Sequence, residues 1–565
     1  MTAFNLQIAY LVSVALLIGA LAPQAGGRFL EPIERFGTRL ARRKSLSICL
    51  IVLATALVRV SLLPINRVPV PEIHDEFSYL LAGDTFAHGR LANPPNPMSE
   101  YLDTFHVNQS PTYMSKYPPG QGAVLALGQI VGNPWIGVVI SVALMCGAIL
   151  WMLQGWLPPQ WALLGGVLAM LRLGIFSYWM NSYWGGAVAA IGGALVVGAL
   201  PRMMRFHRVR DAFWMGLGVA ILANSRPFEG LIFCIPVCIA LLVWLFRSRS
   251  PAWRVTSVRI VLPVCAMLAV TAAFMGYYNW RVTGHPLLLP YVANSRTYMS
   301  QADFVWQRDK PPLHYVNAQF SSFYNGWARE TADDGMFSSV PKAFHVICRD
   351  VQRFGALYLW AELCVPLVAI PWVLGDRRTR FLAVQFAVCF AGFFLSVWFE
   401  PHYAAPLAAT TLALATQGIR HVRRWRLAGL PAGIGVSRVL VLCAVVLAPF
   451  HTYDANVLPR VASRAKVVAE LNAIPGNHLV IVRYSAQHDS HQEWVYNRAD
   501  IEDAKIVWAR EIPGVPMQPL LDYFRGRDVW VVEPDVTLPR LSRYSAQPAP
   551  VEARADQVPA GGTPR

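Results

Sequence analysis

Apolar runs of near-helical length alternate with short basic or long polar stretches along most of the chain. They fall at 6–23, 46–65, 134–154, 160–177, 185–201, 211–224, 228–246, 260–280, 355–374, 380–399, 403–419 and 436–452. A helix of about 20 residues crosses the hydrocarbon of a bilayer, so the pattern predicts about twelve spans, 211–224 being the weakest because it is short. Segment 121–131 is apolar but too short to cross, and reads as a re-entrant or interfacial helix. From 453 the pattern changes. Residues 461–473 have helical spacing, whereas 478–484, 504–509 and 528–533 are short β-branched runs. Helices alternating with such strands predict a small α/β domain with a partly parallel sheet over 453–535. The stretch 536–565, rich in Pro, Ala and Gly, reads as disordered.

Composition agrees with the pattern. Of 565 residues, 55% are hydrophobic and 15% charged, against about a quarter charged in soluble domains. The mean hydropathy is +0.38. The expected fold class is a polytopic α-helical membrane protein with a C-terminal extracytoplasmic domain. The net charge of +16 is uneven. Basic clusters at 28–44, 202–210, 247–259, 377–380 and 420–426 all fall on one side of the predicted spans, as the positive-inside rule requires for the cytoplasm. Residues 1–45 then form a first span and a basic cytoplasmic loop, and 46–452 a membrane domain. Loops 66–120, 281–350 and 400–402 lie outside with the tail. Topology accounts for the basic pI without nucleic acid. The first run lacks a basic n-region and an Ala-x-Ala site, and is not read as a cleaved signal peptide. Most of the nine cysteines lie in apolar runs, where a thiol packs as a small apolar group, and no disulfide framework is expected.

Ionisable residues gather where the first long polar loop begins, at His74-Asp75-Glu76, and the loop closes on Lys116-Tyr117-Pro118-Pro119. Asp75 reads either as the N-cap of a helix 76–87 or as a base, and one role does not exclude the other. As helical neighbours Asp75 and Glu76 would differ by about 100°, so they are not expected to face one atom. Arg226, in Asn-Ser-Arg-Pro-Phe-Glu229, either pairs with Glu229 or binds an anion. Arg281 and His285 follow another span, and Glu400 and His402 stand in Trp-Phe-Glu-Pro-His-Tyr. Arginine suits phosphate, yet at a span end it also snorkels, as Arg59 and Arg172 are expected to do. The segment 281–350 interleaves charges (Asp303 among them) with Trp306, Tyr315, Tyr324 and Trp327, fitting a sugar-binding surface or an interfacial belt. His488, His491 and Glu493 make either a partial metal site or an ordinary polar loop.

An acidic pair early in the first external loop, a Lys-Pro-Pro-like motif near its end and this topology together resemble the GT-C superfamily of membrane glycosyltransferases. Within it, the chain is most similar to the dolichyl-phosphate-mannose protein mannosyltransferase and lipid A aminoarabinose transferase group. The likeness covers roughly 45–420; here a tyrosine interrupts the Lys-Pro-Pro motif. The resemblance implies Asp75 as the base, in line with the first acid of the family pair, and Lys116 at the phosphate. No Trp-Trp-Asp motif of the metal-dependent oligosaccharyltransferases is found, so no divalent metal or other cofactor is expected.

The chemistry can be reasoned independently. Moving a sugar from a polyprenyl phosphate to a hydroxyl needs a base for the acceptor proton and cations for the departing phosphate. Both must stand at the membrane face, because the lipid cannot leave it. The expected catalytic residues are Asp75 and Glu76, with His74, Lys116, Arg226, Arg281, His285 and His402 binding substrate or phosphate. Glu76 or His74 would position Asp75 or the acceptor. The expected function is an inverting hexosyl- or pentosyltransferase acting on the external face of the cytoplasmic membrane. Its partners are a polyprenyl-phosphate sugar and a hydroxyl of an envelope glycan, lipid or protein. The alternatives are a lipid or solute flippase, which should hold charges in mid-membrane, and a non-catalytic envelope scaffold.

Overall fold

The computed structural model describes residues 3–247, 252–333, 339–454, 463–536 and 539–545. Among these, six helices are long and apolar enough to cross a membrane: Lys44–Ser61, Pro134–Trp156, Ala187–Phe206, Pro227–Arg247, Trp253–Thr283 and Ala432–Phe450. The protein is therefore a multi-pass membrane protein. The other expected spans are helical with shorter apolar stretches: Tyr10–Leu21 within Ala3–Leu21, Pro159–Ala169 continuing as a π-turn Met170–Ile175, Val209–Ala223, Arg380–Phe393 and Ala408–Val422. Segment 355–374 is not a straight span. Val340–Tyr358 and Glu362–Gly375 meet at 103°. Trp360 takes a left-handed φ of 57° between them, which ends the first helix.

Helices Pro134–Trp156 and Ala187–Phe206 are the most deeply buried spans. Against the first of them lies Pro119–Ile130, the short apolar helix. A Cβ on Gly137 would come 2.0 Å from the Val124 carbonyl oxygen, so the two backbones are in direct contact. Arg59 does not snorkel. It is fully buried, donating to Asn181 Oδ1 (2.9 Å) and to the carbonyls of Asn66 (2.9 Å) and Arg67 (3.1 Å). Arg172 likewise turns inward, to the Ala356 carbonyl and the Trp360 ring. The basic stretch after the first helix forms an amphipathic helix, Gly27–Arg42. Its Glu34 holds Arg423 at 2.9 Å and Arg438 at 3.0 Å.

The C-terminal domain is α/β as expected. Helix Ser463–Ala473 precedes strands His478–Val482, Ile506–Arg510 and Asp528–Val532, which pair in parallel with the first strand central. Leu541–Arg543 adds antiparallel to Asp528–Val532. That strand lies within the stretch expected to be disordered; a three-residue edge strand of which only Leu541 packs against the core needs no long apolar run. Residues 537–538 and 546–565 of that stretch lie outside the described residues.

This domain packs directly on the first long loop. Phe77 stacks on Tyr496 with centroids 4.1 Å apart. Asp84 accepts from the Ala499 N–H (2.8 Å), and Tyr101 and Tyr113 donate to the carbonyls of Pro516 (2.7 Å) and Asn497 (3.0 Å). A buried ion pair, Arg510–Glu493 at 2.5 Å, lies at the same junction, and Arg510 also reaches the Asp103 carbonyl (3.3 Å) and Gln319 (3.1 Å).

Candidate active site

The first loop opens on helix His74–Ala87, whose N-cap is Ile73 rather than Asp75. Glu76, at the third helical position, closes the cap. Its Oε2 accepts from the N–H groups of Glu72 (2.9 Å) and Ile73 (3.3 Å), and its Oε1 from Tyr183 N–H (3.0 Å). Burial raises the Glu76 pKa to about 7 against the pull of those three donors. With both oxygens committed to backbone, Glu76 positions the loop and does not face the same groups as Asp75. His74 is likewise occupied. Its Nε2 lies 2.7 Å from the Ser490 carbonyl and its ring stacks on Phe105 at 4.4 Å. Burial lowers its pKa to about 4, so the ring is neutral.

A short antiparallel hairpin, Val107–Asn108 with Met114–Ser115, turns the loop back so that Lys116 and Tyr117 return to Asp75. The Tyr117 phenol donates to Asp75 Oδ1, and its ring stacks on Tyr79 at 4.4 Å. Lys116 is buried, with its ammonium 5.3 Å from the centre of the Tyr117 ring and 5.0 Å from that of Tyr291. Burial lowers the Lys116 pKa to about 8, while the charges of Asp75 and Asp303 act the other way. Arg226 lays its guanidinium over Tyr403 at 4.2 Å, with Tyr79, Tyr117 and Glu229 around it. No ion pair within 4.0 Å joins Arg226 to Glu229 among the described residues, so the guanidinium is not consumed as a structural partner. His402 is buried against Trp184 at 4.4 Å, and its Nδ1 has no hydrogen-bond partner. Burial, then the charges of Arg226 and Arg353, keep the ring neutral by pushing its pKa well below the usual value.

Three carboxylates (Asp75, Glu229 and Asp303) and two cations (Lys116 and Arg226) thus share a cluster with four tyrosines: Tyr79, Tyr117, Tyr291 and Tyr403. Beside this cluster an apolar cavity of about 420 Å³ runs between helices, lined by Ile140, Leu144, Ile221 and Phe274 and also by Pro119, Gly120 and Asn224. Pro119 is three residues from Lys116, and Asn224 two residues from Arg226. Gly120 N–H donates to the Asn224 carbonyl at 2.8 Å, tying the two cation-bearing segments together at that end. A Cβ on Gly120 would meet the same oxygen at 2.7 Å.

Other expected site residues lie elsewhere. Arg281 and His285 are exposed, Arg281 reaching only the Tyr277 hydroxyl (3.5 Å) and His285 capping its own turn through Thr283. Charges at an exposed span end find water and need no substrate. Glu400 is held by Arg353 through two bonds of 2.7 and 2.6 Å. In the tail, Glu493 pairs with Arg510, His488 with Asp535 (2.7 Å) and His491 with Asp489 (3.0 Å), three separate partnerships. No group of three metal-ligating side chains occurs among the described residues. From sequence, Asp303 belongs only to a segment fitting a sugar-binding surface or an interfacial belt, and Tyr79, Tyr117 and Tyr403 are only neighbours of motif residues. Tyr291 carries no signal. The tyrosine interrupting the Pro-Pro motif was the one local hint.

No protein-family model matches the chain, and no curated protein does. Solved structures similar in chain path include ArnT from Cupriavidus metallidurans bound to undecaprenyl phosphate. It shares 12% identity over 86% of this chain and 92% of its own, with a TM-score of 0.45. The oligosaccharyltransferase of Archaeoglobus fulgidus tethered to an acceptor peptide shares 11% identity with a TM-score of 0.46. The match covers 82% of this chain and 63% of that one, so the chain spans less than two thirds of its length. At such identities and TM-scores the functional reading rests on the side chains themselves.

Proposed function

We propose that the protein is a glycosyltransferase of the GT-C type, moving a sugar from a polyprenyl-phosphate donor to a hydroxyl acceptor. The observation that carries this reading is the union of Asp75, Lys116 and Arg226 in one partly buried cluster, with Lys116 fully inside it, next to an apolar cavity. The cavity suits a prenyl chain and the cations suit its phosphate. In the reaction the acceptor oxygen attacks the anomeric carbon as the bond from that carbon to the phosphate oxygen breaks. The bonding pair leaves with the phosphate, where Lys116 and Arg226 stabilise the growing charge. The acceptor proton goes to Asp75, held in place by Tyr117. One displacement inverts the anomeric centre. Glu76 and His74 hold the loop that presents Asp75. The roles need a carboxylate base and two cations but no divalent metal. The reading places the site on the external face of the cytoplasmic membrane, following the distribution of basic loops. The acceptor is a hydroxyl of an envelope glycan, lipid or protein, and the donor carries a hexose or pentose.

A comparison of envelope glycans by mass spectrometry, in native, deleted and Asp75→Asn strains at matched expression, tests the proposal. Loss of the same sugar in the last two supports it, and the missing mass identifies the sugar. Loss on deletion but not with Asp75→Asn excludes Asp75 as base and favours a flippase or scaffold.

A further inference from the structure

Between two packed anchors, the second long polar segment carries buried polar groups that have no hydrogen-bond partner among the described residues. Met299 packs into the aromatic cluster of Phe105, Phe320, Phe323 and Tyr324. Four residues on, Asp303 faces Lys116 as a charge partner. The backbone is fixed on both sides, Ser300 accepting from Lys310 N–H (2.7 Å) and Asp303 from Val397 N–H (3.2 Å). Ser300 and Gln301, between the anchors, are 0% and 5% exposed. Yet Ser300 Oγ, both amide atoms of Gln301 and Oδ1 of Asp303 have no hydrogen-bond partner. A buried polar group left unpaired costs about 1–3 kcal/mol. Four such atoms fall within four consecutive residues and include donors and acceptors; the next residue, Phe304, packs on Phe228 at 4.8 Å, two residues from Arg226, which brings the segment to the proposed phosphate site.

We infer that Ser300, Gln301 and Asp303 form the face that binds the hydroxyl groups of the donor sugar. The inference rests on the glycosyltransferase reading and deepens it. A sugar joined to phosphate must lie next to the cations that hold the phosphate, and Asp303, whose charge acts on Lys116, precedes Phe304, which packs on Phe228 near Arg226. Hydroxyls both donate and accept, as the Gln301 amide, the Ser300 hydroxyl and the Asp303 carboxylate require of a partner. A bare phosphate would be repelled by Asp303, and a prenyl chain would leave the amide unpaired. The face therefore separates glycosylated from sugar-free lipid.

The test uses the full-length protein in lipid nanodiscs and two kinds of probe. One is sugar-free polyprenyl phosphate; the other is a panel of polyprenyl-phosphate hexoses and pentoses. The native protein is expected to bind at least one glycosylated lipid about tenfold more tightly than the sugar-free one. Gln301→Leu and Ser300→Ala should erase that preference while leaving sugar-free binding within about twofold, each tenfold being 1.4 kcal/mol. Both variants should unfold at or above the native temperature, since each removes an unpaired buried group. A lowered unfolding temperature in Ser300→Ala would mark the group as structural and overturn the inference. Equal weakening of both probes by Gln301→Leu, or no panel member bound above the sugar-free lipid, would also overturn it. Lys116→Ala separates the two readings: unchanged binding of sugar-free lipid would sink the phosphate role of Lys116, whatever the sugar face does.

Discussion

Tyr117 donates its phenolic hydrogen to Oδ1 of Asp75, closing the first long polar loop across 42 residues of chain. A bond to a charged acceptor contributes about 1.5–3 kcal/mol, and it fixes the carboxylate toward the cation pair. Tyr117→Phe keeps the ring on Tyr79 but removes the donor. Transfer measured with saturating donor should fall about 10- to 100-fold in kcat, with the unfolding temperature little changed. An unaltered kcat would leave Tyr117 as packing alone.

Lys116 gives the pH dependence. Burial brings its pKa down to about 8, so the ammonium is present below that pH and lost above it. If the charge holds the phosphate, kcat/KM should decline as pH rises through about 8. Lys116→Arg replaces it with a cation that stays protonated. In that variant the alkaline decline should vanish, even where the absolute rate is lower. A native profile flat through the same range would rule out the lysine as the essential cation.

Glu76 and Asp75 are neighbours with separable roles. Glu76→Gln can present an accepting oxygen to Tyr183 N–H or to the Glu72 and Ile73 pair, but not to both. The amide must then aim a donor at a backbone donor. The expected loss is about 1–3 kcal/mol of stability, read as a lower unfolding temperature. Asp75→Asn should instead abolish transfer with little change in unfolding temperature. The reverse pattern would exchange their roles.

The pair Arg510–Glu493 is buried on both sides. Arg510→Met leaves the buried Glu493 carboxylate without its cation, with only Tyr484 O–H and the Trp494 and Val495 N–H groups still donating to it, and should cost about 3 kcal/mol, visible as rapid proteolysis within the C-terminal domain. Adding Glu493→Gln should restore most of the protection. Equal sensitivity of single and double variants would show that the arginine matters through its contacts to Asp103 and Gln319 instead.

What could be read from the sequence follows contact distance along the chain. The helical runs, three of the strands, and the acidic and Lys-Tyr-Pro-Pro motifs are each local patterns; the strands appear where expected, and so do the helices except over 355–374. Glu76 was legible as an acid but not as a capping residue tied to position 183, because that bond spans 107 residues. Arg59 looked like a span-end arginine. Its burial depends on Asn181, 122 residues away, and no periodicity reports such a partner. Asp303 and Tyr291 lie far in sequence from Lys116 and join it only through tertiary packing. The break at Trp360 was hidden because apolar residues continue across it; hydropathy records composition, whereas the left-handed φ records direction.

The docking of the sheet domain on the first loop has a consequence for how the molecule comes into being. His74, beside the presumed base, meets the Ser490 carbonyl 416 residues later, and Phe77 is covered by Tyr496. A growing chain thus holds Asp75 long before it holds the wall behind it. Until the sheet arrives, the helix bearing Asp75 shows bare aromatic rings to water, a surface that chaperones and proteases recognise. Molecules that end before Tyr496 leave Phe77 uncovered and are expected to be cleaved by added protease faster than the full chain.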